Sequence, residues 1–225
     1  MKDEKTQLEE YQLWRATNRY TTFRYDIINA FIKKYNYVNY LEIGVRKGAN
    51  LREVIAEHKD GVDPGVESTL TPETNYPITS DKFFELIHNH DIKYDIIFVD
   101  GLHHAAQVHK DIINSLNHLK PTGTIICHDM NPLWEITQRR ESVKGCNCWN
   151  GDCWKAYIKL RSERSDLEMY VVNTDHGCGV IRLGEQKLIN LPKDAFELDF
   201  DFLENNRKEL LNLITVEEFF EKLND

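Results

Sequence analysis

The stretch Tyr40-Leu-Glu-Ile-Gly-Val-Arg-Lys-Gly48 decides how this chain is read. Val38 to Ile43 reads as a hydrophobic strand, and it runs into Glu42-x-Gly44-x-x-x-Gly48. An amphipathic helix is expected next, with Leu51, Val54, Ile55 and His58 at i, i+3, i+4 and i+7. Glycines at a strand-to-helix turn let the backbone approach a ligand closely and leave helix N–H groups free to hold it. The carboxylate inside this turn separates it from a pyrophosphate-binding one. Glu42 sits two residues before the first glycine, where it favours a ligand carrying positive charge.

The 225 residues suffice for one sizeable core, so a single structural domain is expected. The composition, 41% hydrophobic and 29% charged, is that of a globular protein. A net charge of −9 leaves no broad basic footprint, so nucleic acid is not an expected partner. No run approaches the ~20 apolar residues of a membrane span. The charged segment from Met1 to Glu10 does not read as a secretory signal, and a soluble, cytoplasmic protein is expected. Five cysteines, three of them at 146, 148 and 153, suggest no disulfide framework. The spacing Cys146-x-Cys148 is too tight for most structural zinc sites, which leaves reduced loop thiols as the reading.

Residues 1–36 read as an N-terminal cap of two helices, the second with Phe23, Ile27, Ile28, Phe31 and Ile32 as its apolar stripe. Strand-like runs then alternate with helical ones: Val38–Ile43, Gly61–Pro64, Tyr94–Asp100 and Thr124–Asp129. The helix between the last two is expected from His104 to Leu119, stopping at Pro121-Thr-Gly123. This alternation predicts an α/β fold with a mostly parallel sheet. Leu167–Val172 and Gly179–Leu183 read as an antiparallel hairpin closing one sheet edge. The core is placed at 37–190, with 129–153 as a long substrate loop, and 191–225 as a helical tail on the outside.

Ligands of open parallel sheets bind beyond the carboxyl ends of the strands. The acids expected there are Glu42, Asp63, Asp81, Asp100 and Asp129. Asp63 is placed to accept from both ribose hydroxyls of an adenosine, and Ser80 with Asp81 to meet the adenine edge.

The set resembles the class I S-adenosylmethionine-dependent methyltransferases over roughly Tyr37 to Leu183. The resemblance implies a doubly wound, mostly parallel seven-stranded sheet, a Rossmann-like methyltransferase fold. It also implies that Glu42, Gly44 and Gly48 hold the amino-acid end of the cofactor, Asp63 its ribose, and Ser80 and Asp81 its adenine. Arg46 stands where the commoner turn has a middle glycine, a form found in the sugar- and antibiotic-tailoring branch. Asp100-Gly-Leu-His-His104 and His128-Asp129 are similar to the metal-dependent sugar O-methyltransferases and the cephalosporin-hydroxylase-like group. That likeness makes Asp100, His128 and Asp129 candidate ligands of a divalent cation, magnesium or manganese, with His128 standing where the group has an acid. It makes His103 the candidate general base, with His104 as its substitute. Asp100 is also placed to contact the cofactor.

The function implied is methyl transfer to a hydroxyl of a small acceptor, a sugar or nucleotide-sugar in polysaccharide or natural-product tailoring. N-methylation of a small molecule, a non-catalytic cofactor-binding module and an NAD-dependent oxidoreductase are the alternatives, and a homo-oligomer is compatible with each. On the loop, Trp149-Asn-Gly-Asp-Cys-Trp-Lys155 matches a segment of the same branch. Asp152 is expected to cap the following helix, and Trp149 and Trp154 to pack in the core or stack on a sugar. Arg139 and Arg140 either contact a phosphate or nucleotide of the acceptor or are simply solvated.

Overall fold

The computed structural model describes residues 2–66 and 70–225. Helices α1 (Glu4–Thr17) and α2 (Arg24–Tyr35) come first. Asp3 caps α1 by accepting from Thr6 N, and the Asp26 carboxylate reaches back to Phe23 N at the start of α2. After them come β1 (Asn39–Ile43), α3 (Ala49–Glu53), β2 (His58–Val62), α4 (Ser80–Ile87) and β3 (Tyr94–Val99). The chain continues through α5 (Ala105–Asn117), β4 (Leu119–Cys127), α6 (Cys153–Glu163), β5 (Leu167–Val172) and β6 (Cys178–Leu183). It ends in α7 (Phe200–Leu211), β7 (Leu213–Ile214) and α8 (Val216–Asn224).

The strands form one sheet in the order β2-β1-β3-β4-β6-β5-β7. The first four run parallel, β6 is antiparallel to β4 and β5, and β7 is parallel to β5. Every residue of β3 is buried, as expected of a parallel strand covered on both faces. Alternate side chains feed two cores. Leu41, Ile97, Val99 and Ile125 pack with Phe83, Val108, Ile112 and Trp154 from α4, α5 and α6. Tyr40, Ile96, Phe98 and Ile126 pack with Ile27, Phe31 and Phe219 from α2 and α8. The fold is therefore doubly wound, with helices on both faces. Among the described residues no helix is long and apolar enough to cross a membrane.

Four boundaries differ from the sequence reading, each for a local reason. The helix after Gly48 lasts five residues rather than extending to His58. Lys59 Nζ donates to Leu51 O and Val54 O, answering carbonyls at the helix end, and His58 leaves to pair with Asn39. Ile55, expected on the apolar stripe, is 52% exposed. Secondly, Pro121-Thr-Gly123 lies inside β4 instead of ending a helix. Its extra residues are absorbed where the register jumps from Tyr94↔Leu119 to Ile96↔Thr124, a break in the ladder that accommodates proline. The hairpin, thirdly, does not close the sheet edge, because β7 pairs outside β5. Lastly, the tail is not one outer helix: β7 divides it, and Phe219 of α8 is fully buried.

Candidate active site

The glycine turn is shaped by backbone that only glycine adopts easily. Gly44 has φ +93°, and a Cβ there would stand 2.0 Å from Asp100 O, so the turn lies directly against the loop after β3. Arg46, at the middle position, is also left-handed with φ 49°. Its backbone N–H donates to Asp63 Oδ2 at 2.7 Å, while Asp63 Oδ1 accepts from Gly65 N at 2.7 Å. Asp63 thus ties the turn after β1 to the end of β2. Glu42 lies beneath the turn, 1% exposed, and its Oε2 accepts from Tyr40 Oη at 2.5 Å and Asn50 Nδ2 at 2.8 Å. Burial pushes its carboxyl up to about 7, against the lowering effect of those two donors.

Ser80 and Asp81 open α4, where Thr79 caps by accepting from Lys82 N. Asp81 is held by Lys110 Nζ at 2.7 Å and Gln107 Nε2 at 3.0 Å. Gln107 also lies 3.3 Å from Ser80 Oγ and 3.0 Å from Asp111 Oδ1. The sequence reading passed over Gln107 and Asp111. Their spacing of four on an otherwise apolar-periodic helix was the available signal. Burial pushes the Asp111 carboxyl up to about 6.

The ends of β3 and β4 converge on a charged cluster. Asp100, His103 and Asp129 present ligand atoms that all lie within 4.8 Å of one another, a set able to hold a metal ion. His103 Nε2 is 3.2 Å from Asp100 Oδ1, and its Nδ1 is 2.7 Å from Trp149 O and 3.4 Å from Asp129 Oδ2. His128 stands beside the set rather than in it, with Nδ1 3.3 Å from Asp100 Oδ1 and 3.2 Å from Asp129 Oδ2. That nitrogen is buried and, among the described residues, faces the two carboxylates without a well-aligned hydrogen bond. His104 turns its ring edge-on to Trp149 and makes no side-chain hydrogen bond among the described residues.

Two residues far apart in sequence complete the cluster. Arg24, at the start of α2, donates to Asp175 Oδ2 through both its backbone N and Nη1, each at 3.0 Å. Asp175 Oδ2 also lies 3.6 Å from His128 Nε2. Nothing in the sequence pairs positions 24 and 175. Asp100, Asp129 and Asp175 against Arg24 leave two negative charges when both histidines are neutral. A divalent cation or two imidazoliums would balance them.

The titration pattern follows. Burial would lower the His103 pKa, but the Asp129 and Asp100 carboxylates outweigh it and raise it to about 9. Burial would raise the Asp100 and Asp129 carboxyls, yet the histidines hold both below the ordinary range. Because His103 binds its proton more tightly when folded, the metal-free protein gains stability from it below about pH 6.5. That gain is expected to disappear as pH rises through about 9, read as a falling melting temperature across the window.

The loop after β4 packs on this cluster through one short segment. Trp149 lies 5.0 Å, centroid to centroid, from His103, whereas Trp154 is fully buried in the core. Asn150 Nδ2 donates to Asp129 Oδ1. Gly151, with φ +59°, approaches so closely that a Cβ would stand 1.9 Å from His103 O. Asp152 occupies the N-cap position of α6 but makes no capping bond there. Its Oδ1 accepts instead from Ala105 N at 2.6 Å, so it caps α5, the helix that follows His103 and His104. Arg139 is held by Glu135 and Glu4, while Arg140 is exposed.

Residues 41–130 match the family profile described as "Methyltransferase domain". No curated protein matches the sequence. Among solved structures, the chain is similar to the O-methyltransferase TomG from Streptomyces achromogenes, involved in tomaymycin synthesis and solved with S-adenosylmethionine. The TM-score is 0.51 at 12% identity, over 81% of this chain and 91% of that one. It is similar also to the O-methyltransferase from Bacillus cereus solved with S-adenosylhomocysteine, with TM-score 0.50 and 14% identity, over 80% and 90% of the two chains. Residues 41–130 thus match a methyltransferase-domain profile, and the chain shares its fold with these two O-methyltransferases.

Proposed function

We propose that this chain transfers a methyl group from S-adenosylmethionine to a hydroxyl of a small acceptor, a sugar or nucleotide-sugar in polysaccharide or natural-product tailoring. The observation that carries the reading is the Asp100–His103–Asp129 cluster packed against the Glu42–Gly48 turn. When bound, S-adenosylmethionine supplies an electrophilic methyl carbon open to in-line displacement. Glu42, Gly44 and Gly48 serve its amino-acid end, Asp63 its ribose, Ser80 and Asp81 its adenine, and Asp100 borders both cofactor and acceptor.

Asp100 and Asp129 are the carboxylates that would hold a divalent cation, with His128 alongside. Such a cation would supply Lewis acidity toward the acceptor hydroxyl. His103 is the base: its Nδ1 proton is fixed on Trp149 O, so Nε2, which faces Asp100 Oδ1 at 3.2 Å, is the nitrogen that would remove the acceptor's proton. A cation held by the two carboxylates would weaken the pull that raises His103. Trp149 beside His103 offers an aromatic face for a sugar ring, and Arg140 rather than the engaged Arg139 is free to meet a phosphate.

The test is a screen of sugars and nucleotide-sugars with methyl-labelled cofactor, run with and without a chelator. Label transferred to a hydroxyl, lost on chelation and restored by magnesium or manganese, is the expected result. Transfer that survives chelation would end the metal role. His103→Ala is expected to lower turnover by about 10²-fold or more without changing metal affinity. Lost metal affinity in that variant would move His103 into the ligand set instead.

A further inference from the structure

Helix α7 lies outside residues 41–130, yet one of its side chains reaches the loop that carries Asp129. The helix is firmly seated. Leu203, Leu210 and Leu211 are buried in the core shared with α6, and Arg161 Nη1 of α6 donates to Glu209 O at 2.6 Å and Leu210 O at 2.9 Å. From this platform Arg207 lays its guanidinium 5.8 Å from the centre of the Phe200 ring, with Nη2 on Glu204. Its Nη1 donates to Asn131 Oδ1 at 2.5 Å and to Pro132 O at 2.8 Å. The Arg207 side chain is only 15% exposed, so these bonds are shielded from competing water.

Asn131 is the joint through which this contact acts. It is buried, its Nδ2 donates to Asn173 Oδ1 at 2.9 Å, and its backbone N donates to His176 O at 2.8 Å. Beside it, Met130 N donates to Gly177 O at 3.1 Å. Asp129, just before them, is left-handed at φ 64°, a conformation that persists only where the surroundings hold it. On its C-terminal side the holding bonds are those of Met130, Asn131 and Arg207. Removing Arg207 takes the donor from two buried acceptors, Asn131 Oδ1 and Pro132 O, and an unanswered buried acceptor is costly enough to shift a loop. We propose that Arg207 is a positioning residue: by fixing Asn131 it holds the Asp129 carboxylate where it converges with Asp100 on a divalent cation. This rests on the reading of Asp100 and Asp129 as cation ligands.

Calorimetric titration of the full chain with manganese, and separately with S-adenosylhomocysteine, tests the proposal well below the melting temperature. Arg207→Ala is expected to weaken manganese by about 10-fold or more while S-adenosylhomocysteine binds as in the wild type. Arg207→Met keeps the stem against Phe200 and removes the donors, so it carries the test where alanine costs too much packing. The same selective loss of manganese is expected from it. Arg207→Lys returns a cationic donor and should recover part of the lost affinity. A purely structural staple would lower the melting temperature and leave manganese affinity in place. Wild-type manganese affinity in Arg207→Met, or a loss shared in equal proportion by S-adenosylhomocysteine, therefore overturns the proposal. A wild type that binds S-adenosylhomocysteine but no manganese overturns the cation reading of the cluster and this proposal with it, which separates the two failures.

Discussion

Asp129→Asn is expected to lower turnover by about 10³-fold or more while the protein remains folded. Asp129 has φ 64°, a left-handed conformation that asparagine tolerates and alanine does not, so the amide isolates the chemistry from the backbone. The substitution removes one of the three acids opposed to Arg24 and one of the two carboxylates proposed to hold a cation. It leaves the neighbouring Asn150 with an amide partner in place of a carboxylate. It also removes the leading influence that raises His103, so the His103 pKa should fall. Loss of divalent-cation affinity by calorimetry, together with lost turnover, is the expected pair of readings. Full turnover in the variant would remove Asp129 from the mechanism.

Much of this site was legible in the sequence because a parallel sheet brings its strand ends to one crevice. Glu42, Asp63, Asp100 and Asp129 each stand at or just beyond the carboxyl end of a parallel strand, so strand order and spacing alone placed them together. Contacts made across long sequence separations were not legible. Arg24 reaches Asp175 over 151 positions, and the left-handed residues Asp175 and His176 that shape this turn carry no glycine signature. Asp152 shows a subtler limit. Its position correctly marks a helix start, yet the N–H it answers belongs to α5, brought close by tertiary packing rather than by chain order. The α3 boundary failed similarly. Apolar periodicity continued past Glu53, but pairing of β2 with β1 and the Lys59 ammonium ended the helix first.

Gly44→Ala should do the most general damage. Alanine at φ +93° is strained, and its Cβ would stand 2.0 Å from Asp100 O and 2.5 Å from Asp100 C. Both neighbours are backbone, so no side-chain rotation relieves the clash. Strain and overpacking together are expected to cost about 3 kcal/mol or more, a drop in melting temperature of about 6–12 °C for a chain of this size. The forced shift reaches Asp100, so cofactor binding and the charged cluster should fail together. Gly101→Ala is the control, because its Cβ would meet only Ile43 Cγ2 at 3.3 Å and Asp111 Oδ2 at 3.8 Å. A Gly44→Ala protein with unchanged melting temperature and cofactor affinity would contradict the packing described.

In the proposed function the glycine turn and the acids around it receive S-adenosylmethionine. Calorimetric titration of the wild-type protein with S-adenosylhomocysteine and, separately, with NAD addresses it most directly. Saturable one-to-one binding of S-adenosylhomocysteine and none of NAD is the expected result. Binding of NAD in place of S-adenosylhomocysteine, or of neither, would contradict it.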